Sequence, residues 1–392
     1  MAPLHGITVL DLTRVLSGPY CTMLLADMGA RVIKIEQPGK GDDTRAWGPP
    51  FVDGESAYFL SINRNKESLT LDFKQPAGRA ILDRLIARAD VIVENFRPGT
   101  LARLELDYDA LSKRHPRLVY CSISGFGHTG PRAHEPGYDA VMQAEGGLMS
   151  ITGAAGGPPF RLGVAIADIV SGMFAAYGIA LALFARERSG RGQAVDIAML
   201  DSVAALLTYQ AAIYFATGSA PSRMGNRHPT IVPYETFAAA DGDFVLAVGN
   251  DDQWRRFCRV SGFEDSGRFD TNAARVTGYA ELKPLLDAHL RRRTRGEWIA
   301  CLTAAGVPCG SVRDLHDVFT DRQLSAREMV AEVEHSRIGA LKLLGVPVKL
   351  SATPGAVRDA PPTLGQHTDA ILQQDLGLSA SEIATLRQER VV

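Results

Sequence analysis

The chain has 392 residues, of which 46% are hydrophobic and 22% charged, with a net charge of −2 at pH 7. This length predicts two globular domains with substantial cores. The near-neutral charge, together with the lack of any nucleic-acid motif in the sequence, excludes DNA or RNA as an expected partner.

Several features bear on the compartment. Residues 1–15 lack the basic region and long apolar core of a signal peptide. The longest apolar stretch, near residues 173–185, is shorter than a membrane span and predicts a buried helix, so we expect no membrane partner. The five cysteines include no C-x-x-C pair, which is typical of free thiols in a reducing compartment. We therefore expect a cytoplasmic protein.

Strand-like and helical segments alternate through the first 200 residues. Apolar, β-branched runs predict strands at 7–11, 30–36, 68–73, 90–96 and 118–124. Helical patterns lie between them at 20–28, 76–89 (with Pro76 at the first helical position) and 108–114. This order implies parallel pairing, so the fold class is α/β, with a Rossmann-like, doubly wound domain.

The second half of the chain changes character. A long apolar helix is predicted from Asp168 to about residue 188, then a strand at 194–197 and one helix to about 217. Residues 218–230 are rich in Gly, Ser, Pro and Arg and predict a linker. A smaller α+β unit follows, opening with a hairpin of 234–238 and 244–248. The tail, with a predicted strand at 347–350 and helices within 364–388, returns to α/β character.

Common cofactor and hydrolase motifs are missing from the sequence. There is no G-x-G-x-x-G after the first strand, no Walker loop, no H-E-x-x-H and no G-x-S-x-G. The nicotinamide, ATP and serine-hydrolase interpretations therefore lose their main support. The nine histidines show no metal-ligand spacing, so no metal site is expected.

Four loops, within residues 11–19, 35–45, 63–74 and 94–103, each place Lys, Arg or Asn beside the end of a predicted strand. One such loop is usually a solvated surface. Four at one edge of a parallel sheet would form a cleft whose few cations suit a nucleotide phosphate.

Asp168 stands where the long apolar helix begins. One interpretation is structural, since Asp is a favoured N-cap residue. The other is catalytic, because a carboxylate at a helix N-terminus is stabilised in its ionised form and, partly desolvated, can attack an activated acyl group.

Together these segments resemble the class III CoA-transferases, the CaiB/BaiF-like family that includes formyl-CoA transferase. The resemblance spans essentially the whole chain. It is greatest to the succinyl-CoA:glutarate type, through residues 41–51, 230–237 and 306–310. Besides the Asp168 segment, it rests on VLDLTRVLSGP (9–19), RVIKIEQPGKGDDTR (31–45), NRNKESLTLDFK (63–74), VENFRPG (93–99), GYDAV (137–141), SGRGQAVDIAML (189–200), VGND (248–251) and LGQHT (364–368).

The resemblance implies a role for each matching residue. Asp168 would be the nucleophile, and Gly249 and Asn250 would form a loop that closes over the reacting anhydride. Tyr138 would lie near the acyl group. The positions implied to contact CoA are Val15, Leu16, Ser17, Leu71, Lys74, Asn95, Phe96, Arg103 and Met199. Gln37 and Pro136 replace basic residues of formyl-CoA transferase, so its phosphate contacts and substrate specificity do not carry over.

The expected reaction moves CoA from an acyl-CoA, with succinyl-CoA favoured, to a C4–C6 dicarboxylate such as glutarate. It would proceed through an aspartyl anhydride and an aspartyl-CoA thioester. The CoA thioester is a substrate, and no permanently bound cofactor is expected. Arg45, Arg64, Arg227 and His228 are candidates for holding the distal carboxylate, although surface roles remain open for each.

Two alternatives remain open. An α-methylacyl-CoA racemase shares the fold and the acid, but needs a second acid/base group at the position of Tyr138, where those enzymes have a histidine. A tyrosine phenol is a poor general base at neutral pH. A non-catalytic CoA-binding protein would have no need of Asp168 or the Gly249–Asn250 loop.

The resemblance also implies a homodimer of two interlocked rings. Residues 1–200 and 345–392 would form the large CoA-binding domain, and residues 226–320 the small α+β domain. Residues 201–225 and 321–344 would be the linkers between them.

Overall fold

The computed structural model describes residues 1–264 and 266–392, and this part of the chain forms two compact units. The large unit comprises residues 1–148, 162–211 and 322–392. The small unit comprises residues 149–161 and 212–321.

The strands are β1 (Thr8–Asp11), β2 (Arg31–Glu36), β3 (Phe51–Val52), β4 (Glu55–Ser56), β5 (Lys66–Thr70), β6 (Val91–Glu94), β7 (Val119–Ser124), β8 (Ala194–Ala198), β9 (Tyr234–Ala238), β10 (Asp243–Ala247), β11 (Cys309–Ser311), β12 (Val330–His335) and β13 (Gly339–Leu344). The α-helices are α1 (Ser17–Asp27), α2 (Ala57–Ile62), α3 (Pro76–Ile86), α4 (Tyr108–Arg114), α5 (Asp139–Glu145), α6 (Leu148–Ile151), α7 (Ile166–Ser189), α8 (Met199–Leu206), α9 (Thr208–Thr217), α10 (Asp251–Ser261), α11 (Asn272–Thr277), α12 (Tyr279–Leu290), α13 (Arg295–Ala304), α14 (Leu315–Phe319), α15 (Arg322–Ala326), α16 (Thr368–Ala370) and α17 (Ala380–Gln388). Short 3-10 turns occupy Asp43–Ala46 and Ala102–Leu104, and a π-helical turn occupies Ile371–Asp375.

A six-stranded parallel sheet, in the order β5-β2-β1-β6-β7-β8, forms the centre of the large unit. In the middle strand, Leu10 is paired with Ile33 of β2 and with Ile92 of β6. From β1 the sheet first extends through β2 to β5 on one side. The chain then returns to the other side of β1 with β6 and extends the sheet through β7 to β8. The loops that follow β1 and β6 therefore lead to helices on opposite faces of the sheet, and the carboxyl edge at such a reversal of strand order is where open α/β sheets form a crevice.

Side chains of the sheet alternate between two hydrophobic cores. Leu10 and its neighbours on one face pack against α3, α4 and the C-terminal helix α17. Val9 and its neighbours on the other face pack against α1, α7 and α8. Successive residues of a strand point to opposite faces, so a sheet covered on both sides has nearly continuous apolar strands. The expected doubly wound α/β architecture is confirmed, and the C-terminal tail belongs to it.

Helix α7 is longer than the apolar stretch that suggested it. Its 24 residues make it, by length and composition, a helix able to cross a membrane, so the expectation that this segment is too short was wrong. The helix extends beyond residues 173–185 at both ends. It packs against α1 and against β7 and β8, with Ala175, Ile179 and Ala182 buried in the second core.

The small unit is built on a three-stranded antiparallel sheet in the order β11-β10-β9. The predicted hairpin is present, with Phe237 of β9 opposite Phe244 of β10. Both phenylalanines are buried with Trp254, Phe257 and other side chains of α10, α12 and α13.

Two predicted elements differ in the structure. Residues 347–350 are irregular rather than a strand: the Gly345 N–H donates to the Met329 carbonyl and closes the hairpin, and Pro347 has no N–H to offer to a sheet. The helix predicted to run to residue 217 is broken at Leu207, and Thr208 has a positive φ of 36°.

The domain boundaries also differ from those expected. Residues 149–161 belong to the small unit, where Gly225 donates to the Gly153 carbonyl and Arg223 to the Gly157 carbonyl. The predicted linker 321–344 contains α15 and the β12–β13 hairpin, and from residue 322 onward it belongs to the large unit. An Arg337–Glu55 contact of 2.9 Å joins that hairpin to the rest of the large unit.

Candidate active site

Asp168 lies in the first turn of α7, as the sequence predicted. It is the third residue of the helix, and the N-cap is Ala165, which has no side-chain cap. The capping interpretation of Asp168 is therefore wrong. The N-terminus is instead capped by Asp139, whose Oδ1 accepts the Ala167 N–H at 2.9 Å. Asp168 is thus left available for another role.

The surroundings of Asp168 control its charge. Burial, and after it the negative charge of Asp139, raises the pKa of Asp168 to about 7, although the backbone N–H and hydroxyl of Ser17 lower it. Burial raises the pKa of Tyr58 to about 12, and the nearby Asp168 carboxylate adds to this rise. Near neutral pH, Asp168 is therefore divided between its acid and carboxylate forms, while Tyr58 keeps its proton.

The two loops at the crevice are joined to each other. The Arg14 N–H donates to Asn95 Oδ1 at 2.9 Å, and Asn95 Nδ2 donates to the Arg14 carbonyl at 2.7 Å. The Arg14 guanidinium lies 5.3 Å from the centre of the Phe96 ring. These contacts fix the loop after β1 against the loop after β6.

A cleft opens between these loops and the N-terminus of α7. It contains about 870 Å³ of empty space, part of it open to solvent. Of the residues selected from the sequence, its lining includes Val15, Ser17, Asn95, Phe96, Tyr138, Asp168 and Met199. The structure therefore brings six other predicted site residues into the cleft that holds the Asp168 carboxyl.

Other predicted positions in the large unit do not line this cleft. Leu16 and Leu71 are buried in hydrophobic clusters, whereas Lys74 and Arg103 are exposed. Arg45 makes a bidentate contact with Glu36, at 2.8 and 2.7 Å, and its guanidinium stacks on Phe59. Their roles toward CoA and the acyl group remain predictions.

The remaining predicted positions lie in the small unit. Asn250 is the N-cap of α10, and its side chain accepts the Gln253 N–H at 2.9 Å. Gln253 in turn accepts the Gly249 N–H at 2.6 Å. The His228 ring lies 5.3 Å from that of Tyr234, and burial lowers the pKa of His228. The catalytic role of the 249–250 loop and the carboxylate-binding role of His228 remain predictions.

Sequence reasoning missed several residues of the cleft region. Asp139 was inside the GYDAV segment but had no assigned role, and Tyr58 lies in an apolar run without any polar signal. Arg14 and Arg97 supply the cationic lining that the loop pattern predicted without singling them out. None of these contacts could be read from spacing, because the partners are distant in the chain.

The arrangement suits nucleophilic acyl chemistry. The partly desolvated Asp168 carboxyl lies in a cleft lined by two arginines, Arg14 and Arg97, and by two further carboxylates, Asp43 and Glu135. The N–H and hydroxyl of Ser17 favour the ionised form of Asp168. An ionised Asp168 can attack a thioester carbonyl, and the two arginines can pair with the phosphates of a CoA ester. Among the residues that the structure describes, no cluster of His, Cys, Asp or Glu has the composition of a metal site.

Comparison with known proteins agrees with this geometry. The model of CoA-transferase family III matches residues 4–368. Succinyl-CoA:glutarate CoA-transferase of Mus musculus is 42% identical, covering 98% of this chain and 89% of the mouse protein. Succinate–glutarate CoA-transferase of Agrobacterium fabrum is also 42% identical, covering 95% of each chain. A CaiB/BaiF family protein from Brucella suis superposes with a TM-score of 0.85 at 41% identity, covering 95% of this chain and 99% of its own. The chain therefore belongs to CoA-transferase family III and is a CoA-transferase.

Proposed function

We propose that this CoA-transferase moves CoA from succinyl-CoA to a C4–C6 dicarboxylate, with glutarate as the preferred acceptor. The single observation that carries the mechanism is Asp168, half-buried at the start of α7 with its carboxyl in the cleft. The choice of substrates is supported by the names of the mouse and Agrobacterium relatives, each of which is 42% identical over nearly the whole chain.

The first half-reaction releases the acid of the donor. The Asp168 carboxylate attacks the thioester carbonyl of succinyl-CoA, the C–S bond breaks, and CoA thiolate leaves. The product is a succinyl–aspartyl anhydride. The thiolate then attacks the aspartyl carbonyl of this anhydride, which releases succinate and leaves CoA bound to Asp168 as a thioester.

The second half-reaction reverses these steps with glutarate. A glutarate carboxylate attacks the aspartyl thioester and displaces the thiolate, which gives a glutaryl–aspartyl anhydride. The thiolate attacks the glutaryl carbonyl, and Asp168 leaves as a carboxylate. Each intermediate is reactive enough to continue without ATP, provided that water is kept from it.

The structure supplies partners for this chemistry. Asp168 can attack only when ionised, and the Ser17 N–H and hydroxyl favour that form. Those same donors lie next to the carbonyl oxygen that becomes negative when the thiolate attacks the aspartyl group. Arg14 and Arg97 offer positive charge to the phosphates of CoA.

Racemisation of a methylacyl-CoA is the second candidate. It requires an acid/base partner opposite Asp168, and Tyr138 stands at the expected position with 67% of its surface exposed. A solvated phenol gives little general-base catalysis near pH 7, so acyl transfer is favoured.

Label transfer distinguishes the two reactions. Glutarate labelled with oxygen-18 passes one labelled oxygen to Asp168 in the first turnover, and the next turnover passes it to succinate.

Mass spectrometry of the Asp168 peptide, after quenching with hydroxylamine, should show a hydroxamate with wild-type protein and succinyl-CoA. Asp168→Asn should show neither the adduct nor transfer, while the exposed control Asp201→Asn should retain both. Exchange of the α-proton of a 2-methylacyl-CoA in deuterium oxide, without label transfer, would favour the racemase instead.

We also propose that the chain works as a homodimer. The α7 helix exposes Met173, Tyr177, Leu181 and Phe184, each with 49–63% of its surface accessible in the single chain. A row of large apolar side chains on one helix favours burial against a second subunit. Sedimentation of the wild-type protein should give about twice the chain mass of 42.2 kDa, and a value of one chain mass at micromolar concentration would contradict the dimer.

A further inference from the structure

Val15 has an unusual backbone conformation at the edge of the cleft. Its φ is 71°, in the left-handed region, which is a genuine outlier for a β-branched residue. Such a conformation persists only where surrounding contacts enforce it, and it concentrates at functional sites. The question is therefore which contacts hold Val15.

Asp42 is the first of these contacts. Its Oδ1 accepts the Val15 N–H at 3.2 Å. The same oxygen accepts the N–H and the hydroxyl of Thr44, at 3.0 and 2.8 Å, so the Asp42 side chain is itself fixed. Asp42 is 2% exposed and does not line the cleft. Asp42 therefore contacts the loop through the Val15 N–H without lining the cleft itself.

Lys34 joins Asp42 to the same loop. Its ammonium lies 2.9 Å from Asp42 Oδ2 and donates to the Thr13 carbonyl at 3.0 Å. The side chains of Lys34 and Asp42 are both fully buried. Burial alone would raise the pKa of Asp42, but the Lys34 ammonium and the Thr44 contacts hold it below its usual range. The pair is thus charged, and removal of either partner takes the ion-pair contact away from a fully buried charge.

A second buried pair holds the flanking residues. Asp11 accepts the Thr13 N–H at 2.9 Å and the Lys66 ammonium at 3.1 Å. Lys66 also donates to the Pro19 carbonyl at 2.9 Å. Backbone groups at residues 13, 15 and 19 are therefore all bound by buried side chains.

Ser17, two residues beyond Val15, lines the same cleft as Asp168. Its backbone N–H and hydroxyl lower the pKa of the Asp168 carboxyl. We propose that Asp42 is a positioning residue for acyl transfer: through the Val15 N–H it keeps residue 15 left-handed, and so keeps Ser17 directed at Asp168. This inference rests on the proposed transfer through Asp168. It adds to that reaction a residue that touches neither substrate nor nucleophile.

A double-mutant cycle between positions 15 and 42 tests the proposal. Glycine adopts positive φ without steric cost, so in Val15→Gly the left-handed conformation no longer needs Asp42. We expect Asp42→Asn to lower kcat about tenfold or more with less than threefold change in KM for succinyl-CoA. In the Val15→Gly background the same change should lower kcat no more than about threefold. The kcat of Val15→Gly alone is the reference from which the effect of Asp42→Asn in that background is measured.

The pH profile gives an independent measurement. Loss of the Ser17 contacts raises the pKa of Asp168, so Asp42→Asn should move the midpoint of kcat/KM to higher pH, and Val15→Gly should move it back. Asp139 and Tyr58, which also face Asp168, are the same in every variant.

Asp42→Glu provides a variant that preserves the charge opposite Lys34 while displacing the oxygen that binds Val15. It should show the same loss of kcat and the same rescue by Val15→Gly. The test can therefore be made with Asp42→Glu even if Asp42→Asn does not fold. Equal losses of kcat on the Asp42 substitution in the wild-type and Val15→Gly backgrounds would overturn the proposal. Failure of the reaction itself is seen separately, as absence of the hydroxamate on Asp168 in the wild-type protein.

Discussion

Asp139 and Asp168 lie on different helices, and the first opposes the ionisation of the second. Asp139 Oδ1 accepts the Ala167 N–H at 2.9 Å, and Oδ2 accepts Nε2 of the buried Gln143 at 2.8 Å. The Asp139 carboxylate is therefore fixed against the backbone of Ala167, next to Asp168, and its negative charge raises the pKa of Asp168. A group that stabilises the helix thus also sets the pH at which Asp168 is charged.

The first prediction concerns the charge of Asp139. In Asp139→Asn the amide oxygen still accepts the Ala167 N–H, but the negative charge is gone, so the pKa of Asp168 falls. The midpoint of kcat/KM against pH should move below that of wild type, with kcat/KM at pH 6 rising about threefold. Glu145→Gln, on the exposed end of the same helix, is the matched control and should leave the midpoint unchanged. A midpoint that stays in place in Asp139→Asn would contradict the electrostatic coupling.

The second prediction has the opposite sign. The hydroxyl of Ser17 lowers the pKa of Asp168, so Ser17→Ala should raise it and move the profile to higher pH. At pH 7 we expect kcat/KM to fall about threefold from the smaller ionised fraction, with partial recovery at pH 9. The exposed Ser61→Ala serves as control. A loss in Ser17→Ala that is the same at every pH would assign the hydroxyl a role unrelated to the charge of Asp168.

The third prediction concerns stability. In the folded protein the pKa of Asp168 is about 7, above its ordinary value of 3.8. Between these values the folded state binds more protons than the unfolded state, so the contribution of Asp168 to stability falls as pH rises through this window. Asp168→Asn cannot ionise and avoids that cost. Its free energy of unfolding in urea should exceed that of wild type, and the excess should grow between pH 5 and pH 8 by an amount on the order of 2 kcal/mol. An excess that does not change with pH would contradict the raised pKa.

Much of the large unit was predictable from the sequence, because buried parallel strands are nearly continuous apolar runs. The strand around Leu10 and the helix after Pro76 were identified in this way, and Asp168 was located at the start of an apolar helix. The break at Leu207 was not predicted, since no Gly or Pro occurs within residues 199–217 and no local pattern signals the positive φ of Thr208.

The environment of Asp168 was the least predictable feature. Its pKa depends on Asp139, 29 positions earlier, and on Ser17, which reaches it through a loop held by Asp42. Sequence patterns report what a segment prefers locally, and they do not show which distant charges the fold brings together. The motif resemblance singled out Asp168 as the proposed nucleophile, but its raised pKa followed only from the three-dimensional arrangement.

The last prediction separates structure from catalysis in the small unit. Asn250 caps α10 through the Gln253 N–H, and Gln253 reciprocally accepts the Gly249 N–H. Loss of an N-cap side chain costs about 1 kcal/mol, so Asn250→Ala should lower the Tm of the small unit, whereas Asn250→Asp, which still accepts the hydrogen bond, should not. A Cβ at Gly249 would lie 3.4 Å from Gln253 Oε1, at the edge of ordinary contact, so Gly249→Ala should fold with nearly unchanged Tm. If the loop closes over the reacting anhydride, Gly249→Ala will lower kcat despite its intact fold. A normal kcat in both Gly249→Ala and Asn250→Asp would show that this loop serves only to cap the helix and has no catalytic role.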